Sequence, residues 1–136
     1  MIEKLLVDTN IVVDLLTKRE GFYKDAQALF TLSDAGKVKL FVSALTFANT
    51  HYLLTKYKNR SDARNILIKF KVLVEVAKLD DKIIELSLAS DFEDFEDAIQ
   101  YHTALANGVN CIVTRNLKDF KRSKLPVLTA REYLNK

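Results

Sequence analysis

Short runs of apolar residues alternate along the chain with stretches in which apolar residues recur three or four positions apart. The short runs are typical of strands buried on both faces of a sheet, and they fall at residues 2–7, 40–42, 111–114 and 127–128. An alternation of apolar residues at Val72, Val74 and Val76 predicts one further strand. The stretches between them have the periodicity of amphipathic helices. Parallel strands need long crossover connections, usually helices. The alternation therefore predicts an α/β fold with a central, mostly parallel five-stranded sheet flanked by helices.

Polar residues that favour helix N-termini precede several of the helical stretches. The predicted N-terminal residues are Asn10, Ser43 or Thr46, Ser61 with Asp62, and Asp80 or Asp81. A further helix is predicted over residues 98–107 and ends at Gly108, because glycine readily adopts the left-handed conformation that closes a helix. Thr129 and Glu132 have the spacing of a capping box, which predicts a terminal helix.

Composition narrows the domain organisation. The 136 residues are 49% hydrophobic, and three glycines and one proline leave little scope for a flexible linker, so we expect a single domain over residues 1–136. The first residues have neither the pattern of a signal peptide nor that of a membrane span, which favours a cytoplasmic protein with no membrane partner. The single cysteine, Cys111, lies in an apolar run and is predicted to be a core residue.

The first apolar run stops at a carboxylate, Asp8, and two polar residues follow before the helical spacing begins. Ligands of open parallel sheets bind beyond the carboxyl ends of the strands, near the point where the strand order reverses. Asp8 is therefore a candidate site residue. The alternative is that Asp8 only caps the helix that follows, since aspartate is among the favoured capping residues.

Other oxygen-bearing side chains occur where strands or helices are predicted to begin or end. They are Asn49, the acidic stretch of residues 93–97, Thr114, Asn116 and Asp119. If Asp8 and Thr114 lie at the carboxyl ends of neighbouring strands, both side chains point into one crevice. Crowded carboxylates oppose one another's ionisation unless a cation lies between them, and Mg²⁺ favours oxygen ligands. The pattern predicts a metal-dependent phosphodiesterase, in which the metal activates water for attack on phosphorus.

The formal net charge of +3 matters less than where the basic residues lie. They crowd in two clusters, Lys56, Lys58, Arg60 and Arg64, and Lys118, Lys121, Arg122 and Lys124. Cations beside an acidic pocket suit a phosphodiester substrate, whose backbone is negatively charged. Two solvated basic faces without a ligand are the alternative interpretation.

Four segments, taken in order, resemble the PIN domain family and more narrowly its VapC-like toxin branch. The segments are residues 6–10 (LVDTN), 42–46 (VSALT), 95–100 (FEDAIQ) and 113–120 (VTRNLKDF). The resemblance covers nearly the whole chain and implies a PIN-like domain. It also implies an endoribonuclease that depends on Mg²⁺ or Mn²⁺ and is the toxin of a toxin–antitoxin pair. RNA would be the substrate, a cognate antitoxin protein would be a partner, and the chain would form a homodimer.

The resemblance assigns roles to individual residues. Asp8, Asp97 and Asp119 would hold the Mg²⁺ or Mn²⁺ ion. Asn116 would assist them, and Thr114 would position a ligand or a water molecule through its hydroxyl group.

One position departs from the family pattern. The glutamate that the family usually carries on the helix after the second strand falls, by register, at Asn49. Asparagine can offer a carbonyl oxygen to a metal but no negative charge, so weaker metal binding is expected. This departure motivates an alternative function, a weakened or inactive PIN-like module that binds RNA or protein without cutting it.

Polar residues beside the four segments have lesser expected roles. Asn10 would hold the geometry of the pocket, and its neutrality disfavours a phosphoaspartyl enzyme, which needs a second aspartate there. Asp14 is expected to be a surface or helix-interior polar residue. Solvated acidic residues are expected at Glu93, Asp94 and Glu96, of which Asp94 could reach a second metal.

Overall fold

The computed structural model describes residues 2–136, which form one five-stranded sheet with helices on both faces. The strands are β1 (Glu3–Val7), β2 (Val38–Ser43), β3 (Glu75–Ala77), β4 (Cys111–Val113) and β5 (Val127–Leu128). The helices are α1 (Thr9–Leu16), α2 (Tyr23–Asp34), α3 (Ala44–Leu54), α4 (Arg60–Lys71), α5 (Asp81–Leu88), α6 (Phe95–Ala106) and α7 (Ala130–Leu134). The predicted α/β fold is confirmed. None of the helices in residues 2–136 combines the length and the hydrophobicity that crossing a bilayer requires.

The order of the strands across the sheet is β3-β2-β1-β4-β5, and each neighbouring pair is parallel. The chain builds outward from β1 through β2 to β3, and then crosses to the other side of β1 for β4 and β5. In register, Leu5 lies opposite both Leu40 and Cys111. The strand order reverses between β1 and β4, so a crevice for ligands is expected at the carboxyl ends of these two strands.

Both faces of the sheet are apolar because successive side chains of a strand point to opposite sides. Leu5 and Val7 pack into a cluster with residues of α1, α2, α4 and α7. Leu6 and Ile112 face the other side, where α6 contributes Tyr101 to the packing. The Cys111 side chain is buried in the first cluster, as predicted.

Helices α1 and α4 have N-caps other than the predicted ones. The N-cap of α1 is Asp8 and not Asn10, since the Asp8 carboxylate accepts a hydrogen bond of 2.8 Å from the backbone N–H of Thr9. The N-cap of α4 is Asn59, whose side chain accepts from a backbone N–H in the first turn, so this helix begins before residues 61–62. In both cases a side chain just upstream satisfies an N–H group that the helix leaves free.

Helix α6 begins at Phe95 instead of residue 98. The Asp94 carboxylate accepts hydrogen bonds from the backbone N–H groups of Glu96 and Asp97, at 2.8 and 3.2 Å, and so caps the helix earlier than predicted. Asp97 consequently lies in the first helical turn, with its side chain on the rim of the sheet's crevice.

The remaining boundaries follow from similar local causes. Strand β3 begins at Glu75 and not at residue 72, because Val72 is the C-cap of α4. Residues 117–120 form one turn of 3-10 helix between β4 and β5. The predicted capping box is present: Thr129 caps α7, and the Glu132 side chain accepts from the Thr129 backbone N–H at 2.9 Å.

Candidate functional site

The site lies where the strand order reverses. Asp8 follows β1 and Thr114 follows β4, and the two strands are hydrogen-bonded neighbours. The backbone N–H of Asp8 donates to the carbonyl of Val113 at 2.9 Å, which continues the ladder to the edge of the crevice. The predicted convergence of Asp8 and Thr114 therefore follows directly from the sheet order.

The Asp8 carboxylate is buried and is held in one orientation by several donors. The Thr114 hydroxyl donates to it at 2.8 Å, the Gln100 amide at 3.1 Å and the Asn10 amide at 3.4 Å. Its backbone donor is the N–H of Thr9. Capping of α1 is thus only one part of what Asp8 does, because Gln100 on α6 and Thr114 after β4 also donate to its carboxylate.

The hydroxyl of Thr114, which the resemblance expects to position a ligand or a water molecule, contacts the predicted metal ligand Asp8. Thr114 is fully buried, and besides donating to Asp8 its hydroxyl accepts from the Asn10 amide at 3.2 Å and the Asn116 backbone N–H at 3.1 Å. The side-chain oxygen of Asn10, Oδ1, accepts a hydrogen bond from the backbone N–H of Arg115. In this structure Thr114 and Asn10 therefore orient the carboxylate of Asp8.

Gln100 is a site residue that the sequence prediction did not include. Its amide nitrogen donates to Asp8 and, at 2.8 Å, to the hydroxyl of Thr46 on α3. Its carbonyl Oε1 is buried and has no hydrogen-bond partner among residues 2–136. The available signal was helical spacing, because Gln100 lies three residues after Asp97 on the same face of α6.

Five of the six predicted site residues line one pocket of about 490 Å³ at the carboxyl edge of the sheet, and the sixth, Thr114, is buried behind Asp8. Those that line it are Asp8, Asn49, Asp97, Asn116 and Asp119. Asn10, Gln100 and Glu96 line it too, together with the apolar side chains Val13, Leu45, Tyr52 and Leu53. Arg19 and Arg115 place positive charge on its wall. The pocket thus joins an acidic end to an apolar flank.

The acidic groups of the pocket destabilise one another's charges. Burial raises the pKa of Asp8 above its ordinary value of 3.8, although the hydrogen bonds from Thr114 and other donors oppose the rise. Burial, with the nearby charges of Asp94, Asp8 and Asp119, raises the pKa of Asp97 to about 7. A nearby cation would favour the ionised form of such carboxylates.

Asn49 faces an acid of the neighbouring helix. Its amide lies 3.5 Å from the carboxylate of Glu96, at the exposed rim of the pocket. Glu96 is exposed, as predicted, yet it lines the pocket. Asp94 and Glu93 instead line an adjoining cleft.

The adjoining cleft contains one of the two basic clusters. It has a volume of about 530 Å³ and shares Asp97 and Asp119 with the main pocket. Its basic lining residues are Lys118, Lys121 and Arg122. Positive charge from the second predicted cluster therefore begins immediately beside the acidic end of the pocket.

Asp14 is a buried helix residue and not a surface one. Only 1% of it is exposed, and Arg115 binds both carboxylate oxygens, with distances of 2.7 and 3.2 Å. The Arg115 guanidinium also lies 4.2 Å from the ring centroid of Phe22. This contact ties α1 to the segment after β4, because buried charges are stable only when they are paired.

The oxygen-rich residues share a pocket without forming a tight cluster. Among residues 2–136, no three Asp, Glu, His or Cys side chains lie close enough together to form a ready-made metal site. Asp8, Asp97 and Asp119 therefore line the pocket as separate carboxylates.

Comparison with known proteins decides the family. The family model described as the PIN domain matches residues 4–118, which is most of the chain. The chain belongs to the PIN domain family. The predicted family resemblance and fold class are thereby confirmed.

Individual relatives of this PIN domain are of similar length. Ribonuclease VapC1 of Aquifex aeolicus (strain VF5) is 28% identical over 135 residues, covering 96% of this chain and 93% of that protein. A toxin-antitoxin complex from Klebsiella pneumoniae matches with a TM-score of 0.68 and 28% identity, over 93% of this chain and 97% of that chain. DNA-bound VapBC from Salmonella typhimurium matches with a TM-score of 0.71 over 96% and 99% of the two chains. At 18% identity the last likeness shows the fold alone.

Proposed function

We propose that this PIN domain is an endoribonuclease that depends on Mg²⁺ or Mn²⁺ and is the toxin of a toxin–antitoxin pair. The observation that carries the proposal is the pocket that Asp8, Asp97 and Asp119 share at the strand-order reversal. The relative from Aquifex aeolicus is named a ribonuclease, and the Klebsiella pneumoniae structure is a toxin-antitoxin complex. A cytoplasmic setting suits this activity.

The side chains of the pocket fit a hard divalent cation. Their donor atoms are carboxylate and amide oxygens, which Mg²⁺ and Mn²⁺ prefer to nitrogen or sulfur. Asp8, Asp97 and Asp119 would hold the ion, with Asn116 beside them. The raised pKa values of Asp8 and Asp97 and the unpartnered Oε1 of Gln100 are features that a positive ion or its water shell would relieve.

When it is bound, such an ion supplies Lewis acidity at a phosphate oxygen and lowers the pKa of a water molecule. The chain's own residues orient the carboxylates beforehand. Hydrogen bonds from Thr114, Gln100 and Asn10 hold the Asp8 carboxylate in place. The backbone carbonyl of Asn116 accepts a hydrogen bond of 3.0 Å from the backbone N–H of Asp119, which fixes the turn that carries Asp119. This arrangement suits in-line attack by water on an RNA phosphodiester bond.

Basic residues around the pocket would hold the RNA backbone. Arg19 lies on the wall of the pocket, and Lys118, Lys121 and Arg122 line the cleft that shares Asp97 and Asp119 with it. Contacts to phosphates position a nucleic acid without reading its sequence. The cleavage position would then be set by how the strand crosses the two cavities.

The same pocket suits an antitoxin segment. Its apolar flank, with Val13, Leu45 and Tyr52, would take apolar side chains, and its acidic end would take one basic side chain. A homodimer is also expected from the family resemblance. Isolation of the protein from its native cells as a monomer with no bound partner would contradict both expectations.

The nuclease proposal is tested by RNA cleavage with Mn²⁺ or Mg²⁺, with and without a chelator, for the wild type and Asp8→Asn. Asparagine keeps an oxygen that can cap α1 but removes the charge. We expect cleavage to fall by more than roughly 100-fold, because even the outer-shell partners of a metal cost 10- to 100-fold when they are changed.

Asp34→Asn is the matched control, since it makes the same substitution at an exposed position of α2. Circular dichroism verifies the fold of each variant. Cleavage that persists in the chelator or in Asp8→Asn would overturn the proposal. If the wild type binds RNA in Mn²⁺ but does not cut it, the alternative of a binding module is supported instead.

A further inference from the structure

Helices α3 and α6 contact one another through two polar pairs near the pocket. The amide of Gln100 donates to the Thr46 hydroxyl at 2.8 Å, and the amide of Asn49 lies 3.5 Å from Glu96. On α3 the two residues are three positions apart, and on α6 they are four apart, so each pair lies one helical turn from the other. The two helices therefore present matching faces, with Asn49 opposite Glu96.

The face of α6 that contains Glu96 is the face that contacts Asp8. Residues one turn apart lie above one another on a helix, so Glu96 and Asp97 both lie on the side of Gln100. Gln100 reaches the Asp8 carboxylate at 3.1 Å. Glu96 accordingly lines the main pocket with Asp8 and Asp97, whereas Glu93 lines the adjoining cleft.

A second observation in the same place indicates that a ligand is expected there. Gln100 is only 2% exposed and lines the pocket, yet its Oε1 has no hydrogen-bond partner within residues 2–136. A buried carbonyl oxygen without a donor costs free energy unless water or a cation satisfies it. This oxygen lies on the same helix face as Glu96, four residues away.

Asn49 on α3 is neutral, so the pocket has one negative charge fewer than it would have with a glutamate at this position. An amide at position 49 contributes an oxygen but no charge. We propose that Glu96 supplies the missing acidic oxygen donor of the cation site, across the helix seam from Asn49. The acidic oxygen would thus come from α6, while the Asn49 amide on α3 lies within hydrogen-bonding distance, 3.5 Å, of the Glu96 carboxylate. This inference rests on the proposed metal-dependent function.

An amide at position 49 is electrostatically compatible with a carboxylate at position 96. A glutamate at position 49 would face Glu96 across the distance of 3.5 Å that now separates a donor from an acceptor. Two carboxylates so close would oppose each other's ionisation. With Asn49 and Glu96 the site has one negative charge at this place, as it would with a single glutamate at position 49, and no second carboxylate repels it.

The test is titration calorimetry of the full chain with Mn²⁺ for the wild type, Glu96→Gln, Glu93→Gln and the double variant Asn49→Glu/Glu96→Gln. We expect the dissociation constant to rise about tenfold in Glu96→Gln, the lower end of what loss of a metal partner costs. Glu93→Gln is the matched control and should bind like the wild type, because its side chain is 89% exposed and points to the other cleft. The double variant should recover most of the Mn²⁺ affinity, since it places one acid on α3 in exchange for the one removed from α6.

Thermal unfolding gives a readout that a merely structural role would not produce. In a chelator, Glu96→Gln should unfold at the same or a higher temperature than the wild type, because it removes a like charge beside Asp97. In Mn²⁺ the same variant should gain less stability than the wild type. A structural role would instead lower the unfolding temperature equally in both buffers.

Two failures are distinguishable. If the wild type binds Mn²⁺ and cuts RNA, but Glu96→Gln binds Mn²⁺ as tightly or the double variant recovers nothing, this inference is overturned and the nuclease proposal stands. If the wild type neither binds Mn²⁺ nor shows chelator-sensitive cleavage, the proposed function fails and the inference fails with it.

Discussion

At the scale of single residues, the site depends on a carboxylate, Asp8, that is largely buried at the wall of the pocket. Asp8 is 7% exposed and receives hydrogen bonds from Asn10 on α1, Gln100 on α6 and Thr114, the residue after β4. These donors favour the ionised form, but burial outweighs them and raises the pKa of Asp8. A cation beside such a carboxylate stabilises its ionised form, because the cation offsets the hydration that burial removes.

Asp97 makes this balance measurable in the metal-free protein. Its pKa rises from 3.8 to about 7, mainly through burial. Between about pH 4 and about pH 7 the folded chain therefore holds a proton that the unfolded chain releases, so the free energy of unfolding falls as the pH rises. We expect this part of the fall to vanish in Asp97→Asn, whose side chain is neutral in both states.

Urea denaturation in the presence of a chelator, at several pH values across that window, measures the effect. The stability of Asp97→Asn relative to the wild type should increase steadily as the pH rises. Parallel stability profiles for the two proteins would show that the Asp97 carboxyl titrates with an ordinary pKa.

At the scale of elements, α6 and α1 bring the pocket together. One face of α6 presents Glu96, Asp97 and Gln100, because the Asp94 cap starts the helix early enough to include all three. Helix α1 is fastened to the segment after β4 by the buried pair of Asp14 and Arg115. The two walls of the pocket are thus attached to neighbouring central strands.

Loss of the Arg115 side chain should be costly. In Arg115→Met the Asp14 carboxylate, which is 1% exposed, remains buried without its partner. Removal of one member of a buried pair costs about 3 to 5 kcal/mol. We expect a decrease in the free energy of unfolding of about 3 kcal/mol, measured by urea denaturation at neutral pH.

Arg131→Met is the matched control for this substitution. Arg131 pairs with Asp25 at 3.2 Å, but its side chain is 73% exposed, and exposed pairs contribute less than about 1 kcal/mol. An equal loss of stability in the two variants would contradict the claim that burial distinguishes the Asp14 pair.

At the scale of the whole molecule, one parallel sheet determines where every site residue lies. Strand β1 is central, and β4 reaches its other side only after the chain has made β2 and β3. As a result, Asp8 contacts Gln100 and Thr114, which are 92 and 106 residues away in sequence. The site therefore exists only when the central strands are paired.

Cys111 can report on that pairing. It is 2% exposed in β4, and burial raises the pKa of its thiol to about 11, so thiolate is scarce in the folded protein at pH 8. We expect iodoacetamide to label native Cys111 orders of magnitude more slowly than the unfolded chain. Mn²⁺ should slow the reaction further if it binds the folded state alone.

Mass spectrometry of timed samples measures this labelling, and Cys111 is the only cysteine of the sequence, so the signal is unambiguous. Labelling of the native protein at the rate of the urea-unfolded chain would show that β4 opens without loss of the fold.

Much of the fold could be predicted because periodicity and capping are local. The strands around residues 2–7 and 111–114, the helices between them and the capping box at Thr129 follow from neighbours in sequence. The start of α6 was predicted three residues late, since several acids in a row could each cap a helix and only the structure shows that Asp94 does. Asp8, Asp97 and Asp119 were predicted from a family resemblance, and the structure places them on one pocket.

The sequence by itself determined the alternation of strands and helices and the residue types that could bind a cation, because these depend on spacing along the chain. Only the tertiary structure decided which residues meet. Gln100 and Asp8, Arg115 and Asp14, and Glu96 and Asn49 are pairs whose members are 92, 101 and 47 residues apart. Their contacts depend on the strand order and on how the helices face one another, and no local pattern in the sequence encodes either.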